Sequence, residues 1–180
     1  AKRGDIGSTM AGYAAAWLEP GAPLEADALT LTPYLGVGSL APAIELAQQH
    51  GKGVFVMSAN SNPEAEQFQS STLNGGVTVA QFMSDECAKF NADAALRGEV
   101  GDVGVVVGAT VDTPPALESL NAPVLMPGVG AQGATFADVD RIAGKRAHLV
   151  FPNVSRSVLR HGPNVSDLRN QAVELGKRDN

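Results

Sequence analysis

The chain has little of what marks several specialised classes of protein. Its 180 residues include one cysteine and one tryptophan, and only 5% are aromatic. A single cysteine excludes an internal disulfide. We expect Cys87 to pack in the core on a helix, with redox chemistry as the alternative. The longest apolar runs, such as residues 103–109, are too short to cross a bilayer, so we expect no membrane-spanning segment.

Positive charge is also scarce. Lysine and arginine total 13 against 19 acidic residues, a formal net charge of −6 at pH 7, with no basic stripe. This balance argues against a nucleic-acid-binding protein. His50, His148 and His161 stand beside glycines or at the start of an apolar run, so we expect structural or exposed histidines rather than a catalytic base or a metal site. The composition is typical of a cytoplasmic globular protein.

Apolar residues make up 44% of the chain, which is enough for one packed domain over residues 1–180. Five short runs rich in Val, Leu and Phe are nearly continuous rather than alternating. Runs of this kind are typical of parallel strands that are covered on both faces. The predicted strands are residues 26–32, 53–59, 102–109, 122–127 and 147–152.

Segments with helical periodicity are expected between these strands. The longest stripe joins Val79, Met83, Cys87, Phe90 and Ala94. A capping pattern of Thr135 and Asp138 marks the start of another helix. Further apolar stripes are Ile6, Met10, Tyr13 and Trp17; Leu40, Ile44 and Ala47; and Leu168, Ala172 and Leu175.

Strict alternation of strands and helices predicts a parallel α/β sheet. Five strands do not close a (β/α)8 TIM barrel, which needs eight. We therefore expect this chain to carry the last five strand–helix units of such a barrel and the end of its third strand, with the preceding units upstream. On its own such a piece is not expected to fold. An open doubly wound sheet is the alternative, but it predicts a glycine-rich phosphate turn after its first strand, which the sequence lacks.

Polar residues follow the predicted strands at their C-terminal ends, where barrel enzymes carry their catalytic groups. Lys2 and Asp5 lie three residues apart where a strand would end and a helix begin. Polar segments also follow the second, fourth and fifth complete strands, at residues 59–64, 127–133 and 153–157.

Two of these segments predict a phosphate site. The glycines of residues 127–133 allow a sharp turn that points backbone amides at a ligand, and Gln132 adds a neutral donor. Arg156 opens a short helix beside Ser155, so a fixed charge and free N–H groups converge on one anion. Residues 128–134 are the candidate loop that closes over the ligand.

Five motifs in fixed order make the chain recognisable. They resemble the orotidine 5′-phosphate decarboxylase family, in particular its longer bacterial branch typified by mycobacterial and myxobacterial sequences. The resemblance runs from Lys2 to about residue 162. It implies a dimeric (β/α)8 barrel that converts orotidine 5′-phosphate to UMP and carbon dioxide, the last step of de novo pyrimidine biosynthesis, without a cofactor or metal. The motifs are K-R-G-D-I-G-S-T (2–9), P-Y-L-G (33–36), S-N-P-E (61–64), P-G-V-G-A-Q-G (127–133) and N-V-S-R-S (153–157).

The resemblance also implies a role for individual residues. Lys2 is the expected proton donor and Asp5 the second acid of the family's D-x-K-x-x-D motif, with Asp5 and Thr9 reaching into the neighbouring subunit's site. Further acidic and basic residues of the family site are expected upstream, so we expect this chain alone to be inactive. The remaining expected substrate contacts are Ser61 at the pyrimidine, Pro127, and at the phosphate Gln132, Ser155 and Arg156.

Two alternatives remain open from the sequence. A related phosphosugar decarboxylase of the same superfamily would share the Lys–Asp motif and require a divalent metal. A barrel fragment without catalytic activity would serve only to bind phosphate or to dimerise.

Overall fold

The computed structural model describes residues 2–177, in which five strands and eight α-helices form one layered α/β unit. The strands are β1 (Ala28–Leu31), β2 (Gly53–Ala59), β3 (Val103–Val107), β4 (Val124–Pro127) and β5 (Val150–Asn153). The helices are α1 (Gly7–Leu18), α2 (Ala41–Gln49), α3 (Pro63–Gln69), α4 (Val79–Phe90), α5 (Ala92–Leu96), α6 (Phe136–Ala143), α7 (Arg156–Leu159) and α8 (Val165–Gly176). Short 3-10 helices occupy Val37–Leu40 and Gly144–Leu149.

The sheet is wholly parallel, and its strand order β1-β2-β3-β4-β5 follows the sequence. In a doubly wound sheet the order reverses at a switch point, whereas in a barrel it continues in one direction. The order therefore agrees with the predicted barrel and not with the alternative. The C-terminal ends of all five strands therefore lie at the same edge of the sheet.

The opening residues lie beside β1, as the sequence predicts for the end of an earlier strand. Arg3 forms a parallel bridge with Leu31. The Arg3 N–H donates to the Thr30 carbonyl at 3.3 Å, and the Thr32 N–H donates to the Arg3 carbonyl at 2.8 Å. Helix α1 then begins at Gly7, so Lys2 and Asp5 flank the junction between a strand end and a helix.

Two local predictions are wrong. The segment predicted as a strand over 147–152 begins as the 3-10 helix Gly144–Leu149, and β5 starts only at Val150. A short apolar run does not distinguish a strand from a buried helical turn. The connection 108–123 between β3 and β4 also contains no helix. Pro114, Pro115 and Pro123 explain this, because proline removes a helical donor and clashes with the preceding turn.

The apolar stripes predicted from the sequence coincide only in part with the faces that the helices bury. In α1 the buried residues are Met10, Ala14 and Leu18, while Ile6 is 61% exposed. The long stripe of 79–94 breaks because α4 ends at Phe90. There the buried Asn91 side chain donates to the carbonyls of Val103 (3.0 Å) and Leu120 (2.8 Å). Ending the helix allows this side chain to reach β3.

Two further predictions are confirmed. Cys87 is fully buried in the core on α4, and this burial raises the pKa of its thiol to about 12. Thr135 and Asp138 form a capping box at the start of α6, and hydrogen bonds from Thr135 hold the pKa of the Asp138 carboxyl below its usual value. Within residues 2–177 no helix has the length and apolar character needed to cross a membrane.

Candidate active site

Lys2 lines a cleft of about 190 Å³ at the C-terminal ends of β1 and β2. Its backbone N–H donates to the Thr30 hydroxyl at 3.0 Å, and its carbonyl accepts from the Thr32 hydroxyl at 3.4 Å. These contacts hold Lys2 against β1. The Lys2 ammonium has no hydrogen bond or ion pair to any other residue between 2 and 177. A cation in this position is available to a ligand in the cleft.

Helix α3 covers the outer side of this cleft. Its last residue, Gln69, accepts a hydrogen bond from the Asn60 N–H at 2.6 Å. The Phe68 ring packs against the Tyr34 ring with centroids 5.8 Å apart. The cleft therefore has a mostly apolar wall with amide groups on one side. Its lining residues besides Lys2 are Thr32, Pro33, Tyr34, Met57, Ser58, Asn60, Phe68, Gln69, Val79 and Met83.

Ser61 and Gln132 meet although they are 71 residues apart in sequence. The Ser61 hydroxyl donates to the Gln132 side-chain carbonyl at 3.1 Å. Ser61 follows Asn60, which lines the Lys2 cleft, while Gln132 belongs to the loop after β4. This hydrogen bond therefore links the cleft to the predicted phosphate loop.

The loop 128–134 folds back on itself more than the sequence predicts. The N–H groups of Gly130 and Gly133 donate to the carbonyls of Ala134 and Gly130, at 2.8 and 2.9 Å. The N–H groups of Ala131 and Ala134 donate to the carbonyls of Val129 and Gly128. The expectation that the loop amides point at a ligand is therefore wrong for these four groups. Gln132 is the only residue of the loop with a polar side chain, so it is the side-chain donor that the loop offers.

Ser155 and Arg156 lie directly after β5, where α7 begins at Arg156 as predicted. Both side chains are exposed, and the Arg156 guanidinium has no ion pair within the described part of the chain. Ser157 follows Arg156 in the sequence. A Cβ on Gly130 would lie 2.7 Å from the Ser157 hydroxyl. The loop 128–134 therefore packs directly on the first turn of α7, which brings the two predicted phosphate segments together.

The remaining predicted residues lie around this edge rather than in the cleft. Pro127 is half-buried at the end of β4, and its carbonyl accepts from the Ala109 N–H at 2.8 Å. Asp5 is half-buried and accepts from the Ile6 N–H at 2.8 Å. Thr9 is exposed in the first turn of α1. Neither Asp5 nor Thr9 lines the Lys2 cleft.

A larger cavity of about 330 Å³ lies elsewhere and contains none of the predicted site residues. It is lined by Phe136, Pro152, Val154, Val158, Ala172, Leu175 and Gly176. The cleft with Lys2 is the better candidate site, because it combines a cation with amide and hydroxyl groups. No cluster of three or more His, Cys, Asp or Glu side chains suited to a metal ion occurs between residues 2 and 177.

Comparison with known proteins identifies the family. The family model for orotidine 5′-phosphate decarboxylase / HUMPS matches residues 1–170. The chain belongs to this family. It is 55% identical over 174 residues to an orotidine 5′-phosphate decarboxylase of Corynebacterium glutamicum, covering 97% of this chain and 63% of the relative. It is 59% identical over 169 residues to that of Corynebacterium efficiens, covering 94% of this chain and 60% of the relative.

Solved structures agree with the sequence comparison. A Streptomyces avermitilis protein, named as a candidate orotidine 5′-phosphate decarboxylase, superposes with a TM-score of 0.89 at 48% identity. The match covers 97% of this chain and 61% of that one. The chain thus spans about three fifths of the length of the relatives it matches. The five parallel strands are part of a TIM barrel of this family, which confirms the predicted fold class.

Several residues of the site were not predicted from the sequence. No helix is predicted directly after the polar segment 59–64, although Pro63 begins α3 and Gln69 at its end contacts Asn60. Asn62 followed by proline is a helix-start signal that could have revealed α3. The contribution of Phe68 and Met83 to the cleft has no such signal, because it depends on how α3 and α4 pack over β2.

Gly4 sets how closely the opening motif approaches β1. A Cβ on Gly4 would lie 2.1 Å from the Thr32 carbonyl oxygen, a backbone atom that cannot rotate away. We expect Gly4→Ala to lower the free energy of unfolding by about 1–3 kcal/mol, as overpacking does. Urea unfolding of the native protein measures this loss.

Gly38→Ala is the matched control, because a Cβ there meets no atom within 4 Å. We expect this control to change the free energy of unfolding by less than about 0.5 kcal/mol. If Gly4→Ala is as stable as Gly38→Ala, the close approach of the opening motif to β1 is wrong.

Proposed function

We propose that the native protein containing this chain decarboxylates orotidine 5′-phosphate to UMP and carbon dioxide, as the last step of pyrimidine biosynthesis in the cytoplasm. The observation that carries the proposal is the cleft with the Lys2 ammonium, linked through Ser61 and Gln132 to a loop that packs on the helix of Arg156. The proposed domain, residues 1–180, is the C-terminal part of one barrel. Residues upstream complete the site.

The phosphate binds at the ends of β4 and β5. Arg156 supplies a permanent positive charge with several N–H donors, which suits a phosphate dianion. Gln132 and Ser155 add neutral donors close to the same turn, and Pro127 begins the loop that carries Gln132. Support comes from the packing of Gly130 on Ser157, which brings this loop to the start of α7.

The pyrimidine ring binds in the Lys2 cleft. Pro33, Met57 and Met83 provide an apolar surface for a planar ring. Ser61 stands between this cleft and Gln132, so it contacts the polar edge of the ring while the phosphate lies beyond it. A nucleotide monophosphate has the required shape, with a ring at one end and a dianion at the other.

Lys2 stabilises the carbanion and then protonates it. The bond between C6 and the carboxylate breaks, and carbon dioxide leaves while the electron pair stays on C6. The ring has no group that delocalises this pair well, so an ammonium held close to C6 lowers the barrier. The ammonium of Lys2 then gives its proton to C6, which yields UMP, and solvent reprotonates the amine. This sequence needs no cofactor.

Asp5 and Thr9 act in the neighbouring subunit of a homodimer. Asp5 precedes α1 by two residues and Thr9 lies in its first turn, and both are outside the cleft of their own chain, which supports a role across an interface. Two large apolar side chains close to them in sequence are exposed, namely Ile6 and Tyr13. Apolar surface of this kind marks an interaction site. In that site the Asp5 carboxylate repels the substrate carboxylate and favours its loss.

Replacing Lys2 tests the proposed chemistry. In the native protein, Lys2→Ala should lower kcat by about 10²–10⁴-fold, because both the proton donor and the charge facing C6 are lost. Binding of UMP should weaken far less, since the phosphate contacts remain. The decline of orotidine 5′-phosphate absorbance measures kcat, and calorimetry measures UMP binding.

Lys89→Ala is the control for loss of one lysine, because Lys89 is exposed on α4. It should leave kcat unchanged. A Lys2→Ala variant that retains more than about a tenth of the wild-type kcat contradicts general-acid catalysis at its usual strength.

Full turnover in EDTA separates the proposed activity from a metal-dependent phosphosugar decarboxylase. Absence of turnover by the intact wild-type protein would favour a non-catalytic phosphate-binding role.

Mixing two inactive variants tests the shared sites. Lys2→Ala and Asp5→Ala subunits, each inactive alone, should form heterodimers in which one site carries both intact residues. Complete exchange in an equal mixture should then restore about a quarter of the wild-type activity. Mixing Lys2→Ala with the double variant Lys2→Ala/Asp5→Ala should restore none. No recovery in the first mixture, with exchange verified by native mass spectrometry, would rule out shared sites.

A further inference from the structure

Residues 108–110, which follow β3, separate the two segments of the candidate site. On one side the Gly108 N–H donates to the Ala59 carbonyl at 2.7 Å, and the Thr110 hydroxyl lies 3.5 Å from the Ser61 carbonyl. On the other side the Ala109 N–H donates to the Pro127 carbonyl at 2.8 Å. The spacing between the Ser61 segment and the phosphate loop therefore depends on this short connection.

Gly108 is the tightest point of that connection. A Cβ at this position would lie 2.8 Å from both the Cβ and the N atom of Ser61, and 2.9 Å from its Cα. The φ angle of Gly108 is outside the left-handed region, so its backbone is open to any residue. The constraint at Gly108 is therefore one of distance alone. Any side chain there would push Ser61 away from β3.

The phosphate loop meets the same connection from the other side. A Cβ on Gly128 would lie 3.2 Å from the Gln132 side-chain oxygen, 3.5 Å from the Thr110 methyl group and 3.7 Å from the Ala109 nitrogen. Gln132 thus lies over the residues that hold Ser61. A shift of Ser61 by a fraction of an ångström would lengthen its hydrogen bond to Gln132, which is 3.1 Å long.

We infer that Gly108 is a positioning residue of the site: the lack of a side chain there lets Ser61 lie close enough to β3 to bind Gln132. Thr110 assists by holding the Ser61 carbonyl. Neither residue touches the ligand, and both act through Ser61. This inference rests on the proposed function for its effect on turnover, but its structural consequence does not depend on any activity.

The test compares Gly108→Ala with Gly38→Ala in the native protein. Gly108→Ala should lower kcat/KM for orotidine 5′-phosphate by about 10²-fold, the effect of a small misplacement in a site, and mostly through KM. Gly38→Ala should match wild type, since a Cβ there meets no atom within 4 Å. Equal activity of the two variants would overturn the inference.

A double-mutant cycle separates positioning from general damage. In a Gln132→Ala background the hydrogen bond from Ser61 is already lost, so adding Gly108→Ala should cost less than about 3-fold. A cost as large as in the wild-type background would mean that Gly108 acts by another route and would overturn the inference.

Thr110 provides a second pair of variants if Gly108→Ala does not fold. Thr110→Val keeps the shape but loses the hydroxyl, and should lower kcat/KM by about 2- to 10-fold, the usual worth of one hydrogen bond. Thr110→Ser keeps the hydroxyl and should stay near wild type. Equal activity of the valine and serine variants would overturn the role of this connection.

A crystal structure provides a readout without turnover. In Gly108→Ala the distance from the Ser61 hydroxyl to the Gln132 oxygen should exceed 3.5 Å, against 3.1 Å in the wild type. An unchanged distance would overturn the inference whatever the protein catalyses. If the wild-type protein does not turn over orotidine 5′-phosphate but this distance opens, the proposed function fails and the positioning role of Gly108 stands.

Discussion

Arg3 pairs with the end of β1 through two backbone hydrogen bonds, and the chemistry of the site depends on this pairing. This pairing fixes the positions of Lys2 and Gly4, the residues on either side of Arg3. Lys2 is held over the cleft, and Gly4 leads the chain across the Thr32 carbonyl toward Asp5 and α1. Without this pairing, orienting the Lys2 ammonium over the cleft would cost conformational entropy.

The other residues of the candidate site lie along one edge of the parallel sheet. Lys2 lies beside β1 and β2, whereas Gln132 and Arg156 follow β4 and β5. The connection after β3 lies between the two halves and sets the distance between them. The hydrogen bond from Ser61 to Gln132 crosses that connection. An elongated ligand with an anionic end fits this division better than a compact one.

Much of this arrangement could be predicted from the sequence, because each apolar run is followed directly by a polar or glycine-rich segment. Strand β2 occupies the predicted residues 53–59, and the capping box of Thr135 and Asp138 lies where its spacing indicates. The order of the strands follows from the alternation with helices. The predicted roles of Lys2, Asp5 and Arg156 rest on a family resemblance and remain predictions until tested.

Other features could not be predicted, since they depend on distances in three dimensions. The 3-10 helix of 144–149 and the strand that follows it form one continuous apolar run in sequence. The contact of Ser61 with Gln132 joins segments that follow β2 and β4, two strands that β3 separates in the sheet. Gly108 resembles an ordinary strand-end glycine, and only its distance to Ser61 distinguishes it.

The central claim is that the Lys2 cleft and the loop 128–134 bind one nucleotide between them. A crystal structure of the native protein with UMP tests this most directly. The account predicts that the phosphate lies within about 3.5 Å of the side chains of Gln132 and Arg156 while ring carbon C6 faces the Lys2 ammonium. A phosphate bound away from both side chains, or a ring outside the Lys2 cleft, would contradict it.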